Sequence, residues 1–131
     1  MELSTALRNV LADAIDSDLQ TTGFARFYTS GLTTLLASCS LSNPAFGTAA
    51  TGTITLSGTP QDTTPAAAGT AVRLGFYRNS TDTSGLYRFM LGIATGGAPD
   101  VTMANNVIAT TDTVQISSLT ITVPSGTPDV T

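Results

Sequence analysis

The chain has 131 residues, 41% of them apolar and only 11% charged, with a net charge of -4 and no histidine or tryptophan. Its five basic residues are all arginines, and Cys39 is its single cysteine. These counts exclude histidine-based catalysis, lysine Schiff bases, a phosphate-loop lysine, an intramolecular disulfide and a zinc site, and the acidic balance argues against wrapping nucleic acid.

The opening MELSTALRNVLADAI predicts a helix over about 4–17. Ser4 supplies an N-cap, and Leu7, Leu11, Ala14 and Ile15 recur at spacings of three and four, so that stripe is expected to pack on the rest of the chain. Glu2, Arg8 and Asp13 break any signal-peptide pattern. No apolar run approaches the ~20 residues that span a bilayer, so no membrane contact is expected. Asp16 and Asp18 are expected to be a solvated pair at the helix end.

FARFYTS (24–30) reads as a strand with Ala25 and Phe27 on one side and Phe24, Arg26 and Tyr28 on the other. LTTLLASCSL (32–41) reads as a second strand in which Cys39 is a buried, inert thiol. SNPAFG (42–47) is loop, and GTITLSG (52–58) is a short strand between glycines. TPQDTTPAAAG (59–69), with Pro60 and Pro65, lacks periodicity and predicts a long loop free to reach partner chains.

TAVRLGFYR and LYRFMLGIA flank the polar turn NSTDTSG (79–85) and predict a hairpin. Val72, Leu74 and Phe76 face inward, and so do Tyr87, Phe89, Leu91 and Ile93. Agreement of the two inner faces sets Phe76 opposite Phe89 or a neighbour two away. The outward phase carries Arg73, Tyr77, Leu86, Arg88 and Met90; Tyr, Arg and Met are enriched in the cores of protein interfaces, and Tyr77 and Arg88 are placed to form a cation–π pair. That face is either an interface or one covered by the helix or a loop. Residues 100–123 hold two or three more strands with a turn at Asn105-Asn106, and 124–131, including Val130, reads as a loose tail. Asp62, Asp82, Asp100 and Asp112 lie in turn contexts where Asp bonds its own backbone.

One domain over 1–131 is expected, with a jelly-roll-like antiparallel β-sandwich of seven or eight strands over about 24–123 behind one N-terminal helix. No residue pattern supports catalysis, a cofactor or a metal, so an enzyme is not expected. Such a chain works by touching other proteins.

The opening MELSTALRNVLADAI, the middle LSNPAFGTAATGTITLSG and the ending SSLTITVPSG together resemble a family of small virion structural proteins of tailed bacteriophages. The resemblance implies a non-enzymatic part of a capsid or tail, assembled in the bacterial host cytoplasm. Within that class, proteins that decorate and cement the icosahedral capsid match best in size and strand content. Their partners would be the major capsid protein and further copies of the chain, as a dimer or trimer. Pro60, Pro65 and Val130, on the long loop and the tail, would then reach neighbouring subunits. A tail-tube, tail-terminator or head–tail joining protein is the alternative, and a carbohydrate- or receptor-binding module a more distant one.

Overall fold

Ser4 starts the helix as its residue type predicts: its Oγ accepts the Leu7 N–H at 3.2 Å, satisfying one of the free amides of the first turn. The computed structural model describes residues 1–19, 22–94, 101–103 and 105–127. Helix α1 runs over Thr5–Leu19, two residues beyond the expected end. It buries Ala12 and Leu19 and leaves Leu7, Val10 and Leu11 exposed. Of the expected stripe, Ile15 packs against the core while Leu7, Leu11 and Ala14 are exposed, so the reading is corrected in part: the docked side is turned from the stripe by roughly a third of a turn at 100° per residue.

Eleven short strands follow among the described residues: β1 (Phe24–Tyr28), β2 (Leu35–Ser40), β3 (Thr53–Thr55), β4 (Gln61–Asp62), β5 (Gly69–Thr70), β6 (Arg73–Tyr77), β7 (Phe89–Ala94), β8 (Val101–Thr102), β9 (Val107–Ile108), β10 (Val114–Gln115) and β11 (Thr120–Thr122). Strands β2, β1, β6 and β7 form an antiparallel sheet in that order, and β8 extends it in parallel. The remaining strands pair in three antiparallel ladders, β10 with β4, β11 with β3 and β5 with β9. The architecture is mostly β with one N-terminal helix, a four-stranded antiparallel sheet and small sheets beside it.

Alternation in the main sheet follows the sequence. Ala25 lies between Cys39 and Phe76, and Phe27 between Ala37 and Leu74, and all six are buried. Phe76 sits opposite Phe89, the register that the two inner faces demand, and their rings stack at 4.4 Å. Ile54, Leu56, Ile108, Val114, Ile116 and Leu119, from the ladders and their flanks, join the same core cluster. Phe46 links the two sets, its ring 6.1 Å from that of Phe76. Cys39 is fully buried. Burial first, and then the charge of Asp62, push its thiol up to about 12, so the inert-thiol expectation holds.

Two segments expected to be free are tied down. Residues 59–69 contain β4 and the start of β5, and Pro60 and Pro65 are buried. The Asp62 carboxylate accepts the Ser38 N–H at 2.8 Å and the Thr64 N–H at 2.9 Å, while the Ala66 N–H reaches the Leu36 carbonyl at 2.8 Å. The segment thus covers the outer edge of β2, whose unpaired amides would otherwise invite another strand. At the other end, Gly126 bridges Glu2 and the Leu3 N–H donates to the Ser125 carbonyl at 2.7 Å. Gly126 has φ +73, and a Cβ there would strike the Met1 carbonyl oxygen, so this close approach requires glycine. The loose-tail reading is corrected for residues 125–127; Val130 lies outside the described residues.

The turn chemistry behaves as read. Asp82 accepts the Arg78 N–H, Asp112 the Ala109 N–H and Asn105 the Val107 N–H, each bonding nearby backbone. Asp100 is outside the described residues.

Candidate functional site

The sheet face away from the core is built on Arg26. β1 places Phe24, Arg26 and Tyr28 on this face, and the pairing sets Arg26 opposite Gly75 and Phe24 opposite Tyr77. Gly75 leaves the space that its neighbours fill: a Cβ there would lie 2.9 Å from both the Met90 Cε and the Tyr77 ring. The Arg26 guanidinium lies 4.8 Å from the centre of the Tyr77 ring and 5.7 Å from that of Phe24. Its Nη1 donates to the Asp82 carbonyl at 2.7 Å and its Nη2 to the Ser80 carbonyl at 2.6 Å.

This arginine is only 7% exposed, although strand phase alone points it toward solvent. The turn after β6 folds back over the face, and backbone carbonyls replace the water lost from the guanidinium. The expected cation–π pair between Tyr77 and Arg88 is corrected to one between Tyr77 and Arg26. Tyr77 itself is fully buried and donates its hydroxyl to the Ser84 carbonyl at 3.2 Å. Burial, and next a side-chain hydrogen bond with Tyr28, raise its phenol above the ordinary range; Arg26 pulls the other way.

Of the remaining residues assigned to an interface, Arg73 is exposed and Met90 half-buried. Leu86, at the end of the 3-10 turn Ser84–Leu86, is 56% exposed; Tyr87, expected to face inward, is corrected to an exposed position at 44%, because the strand begins only at Phe89. Arg88 is exposed and pairs with Asp18 of α1, its Nη2 3.0 Å from Oδ1 and its Nε on Oδ2. The hydrogen bond and then the charge of Asp18 raise the Arg88 pKa further above neutral pH. The structure thus keeps Leu86 and Arg88 at one surface and takes Tyr77, Pro60 and Pro65 out of it. Asp18 was read as a solvated partner of Asp16; instead it joins the helix to the hairpin.

Asp16 belongs to a separate row that sequence reasoning missed. Asn9, Asp13 and Asp16 share one side of α1, and their Oδ1 atoms accept the backbone N–H groups of Gly52, Ala49 and Phe46 at 2.7, 2.7 and 2.8 Å. Beside them the Arg8 Nε donates to the Val123 carbonyl at 2.8 Å. The spacing i, i+4, i+7 was the available signal, since it lines up three short acceptors on one helix side. What the sequence does not give is the loop with bare amides that they meet.

The opposite flank of the helix ends in a surface groove of about 230 Å³ between Leu11, Ala14, Ile15, Asp18, Arg88 and Phe89. Arg88 also borders a second cavity of about 370 Å³ that includes Arg78, Asp82 and Tyr87. The two hollows have Arg88 in common. Among the described residues there is no group of three or more His, Cys, Asp or Glu side chains placed to hold a metal ion, and no helix is long and apolar enough to cross a membrane. No protein-family model, curated protein or solved structure matches this chain.

Proposed function

We propose that this chain is a virion structural protein that decorates and cements the icosahedral capsid of a tailed phage by binding the lattice of its major capsid protein. One observation carries the reading. Five of the seven large apolar side chains left exposed among the described residues are Leu7, Val10 and Leu11 on α1 and Leu86 and Tyr87 on the hairpin, and of these Leu11, Leu86 and Tyr87 line the hollows that border the Asp18–Arg88 pair. Tyrosine and arginine are enriched at protein contacts, and the exposed leucines add apolar surface that a partner would cover. A lattice presents many equivalent sites, so a modest contact suffices when copies of the chain associate and bind together. The hydroxyl-rich, charge-poor exterior supports the same reading, because it tolerates close neighbours.

The architecture is read in the same terms, as a jelly-roll-like sandwich with β2-β1-β6-β7 as one wall and the three ladders as a broken second wall. The shared core cluster supports that assignment.

The reading is tested by sedimenting the purified chain with shells assembled from the major capsid protein. Saturable co-sedimentation at hundreds of copies per shell is expected. About six or twelve copies per particle would instead mark a connector at a symmetry axis, and no co-sedimentation would remove the capsid role.

A further inference from the structure

We infer that the cavity beside Arg78 is a carboxylate-binding site that receives an acidic side chain of a partner segment. The inference deepens the contact reading above and rests on it for the partner's identity alone.

The arginines are the starting point. Arg8 is bonded to Val123, Arg26 to the 80–82 carbonyls and Arg88 to Asp18, and Arg73 reaches the carbonyl of Val72 at 3.4 Å. Among the described residues, no hydrogen-bond acceptor or carboxylate meets the Arg78 guanidinium, and its Nε is buried without a partner. Its Nε has lost water and gained no acceptor, and a guanidinium is the side chain best shaped for a bidentate carboxylate.

Arg78 lines the cavity of about 370 Å³ together with Asn79, Tyr87 and Arg88 and with the Asp82 carboxylate, which accepts the Arg78 backbone N–H, so four donor-bearing side chains and one acceptor border a space large enough for a side chain. Local charge selects the ligand. Arg78 and Arg88 are already balanced by Asp82 within the cavity and by Asp18, the partner of Arg88. A singly charged carboxylate therefore leaves one excess negative charge, whereas a doubly charged phosphate would leave two. Arg88 also borders the apolar groove at Leu11, Ile15 and Phe89. The segment recognised is therefore an acidic residue beside an apolar one, the carboxylate meeting Arg78 and the apolar side chain lying in the groove.

The experiment is an amide-resolved NMR titration of the whole chain with the capped dipeptide Glu-Leu, with capped Gln-Leu and inorganic phosphate as parallel arms. Saturable shifts at residues 78–88 are expected with Glu-Leu. Binding should be at least about ten-fold weaker for Gln-Leu and for the Arg78→Gln variant, the difference made by a charge-assisted hydrogen bond. Arg78→Lys, which keeps the charge and loses the fork, should lie between. Absence of saturable shifts, or equal binding by Glu-Leu and Gln-Leu, overturns the site without any variant being needed. Tighter binding of phosphate overturns its assignment to carboxylate. A chain that binds Glu-Leu and ignores capsid shells contradicts the virion reading while keeping this one; the converse result does the opposite.

Discussion

The two flanks of helix α1 have exchanged the parts that their side chains suggest. On one flank Leu7, Val10 and Leu11 stay exposed. On the other, Asn9, Asp13 and Asp16 are drawn against the protein, each accepting a backbone N–H from residues 46–52. A helix is seated by whatever its neighbour lacks. Here the neighbour is a loop in which Gly47 and Ala50 donate to β3 while the amides of Phe46, Ala49 and Gly52 turn to the helix, so carboxylate and amide oxygens satisfy them and leucines would not. Ala12 and Leu19, both fully buried, supply the apolar part of the docking. The leucines left outside become available for contact with another chain.

This contrast can be broken by substitution. The largest effect is expected at the apolar anchor: Leu19→Ala should cost about 2–5 kcal/mol in urea unfolding, the range for truncating a fully buried leucine. Asp13→Ala and Asp16→Ala should each cost about 1–3 kcal/mol, because each strands a backbone N–H. Hydrogen exchange should then quicken at Ala49 or Phe46, whichever amide lost its acceptor. Gly52→Ala should cost about 1–2 kcal/mol, since φ there is +78 and the new Cβ would press on the Arg8 guanidinium at 2.7–2.8 Å. Leu7→Ser and Leu11→Ser should change stability by no more than about 0.5 kcal/mol while weakening attachment to shells. A loss of several kcal/mol at Leu11 with none at Asp13 would reverse the comparison.

The core offers a pH-dependent counterpart. The Cys39 thiol is raised from 9.0 to about 12 on folding, so the folded state favours its neutral form. Its contribution is complete below pH 9 and declines as pH rises from 9 toward 12. Urea midpoints should fall over that window, and Cys39→Ala should flatten the fall. Below pH 9 the thiol should react with a disulfide reagent only once the chain is unfolded.

Reading forward from the residues succeeds where a pattern repeats and fails where a partner decides. The β6–β7 register was legible because Leu74, Phe76, Phe89 and Leu91 alternate over enough positions to fix a face. The Ser4 cap and the Asp and Asn turns were legible because those side chains bond locally. The ladders were not, because strands such as Gln61–Asp62 and Val114–Gln115 have two residues each and a period of two needs more. Arg26 was misplaced because strand phase says which side a residue takes and nothing about what later folds over that side. The 79–86 turn comes back fifty residues on. Arg78 gave no sequence signal; its lack of an acceptor is visible only after the other arginines have found theirs.

The most direct test is imaging of capsid shells saturated with the chain, at a resolution that orients it. The account predicts that α1 and the Leu86–Arg88 corner face the shell, with an acidic side chain of the capsid protein at Arg78. A chain seated by its β3–β11 side, with Leu11 and Tyr87 toward solvent, would contradict it, as would shells that carry no chain at all.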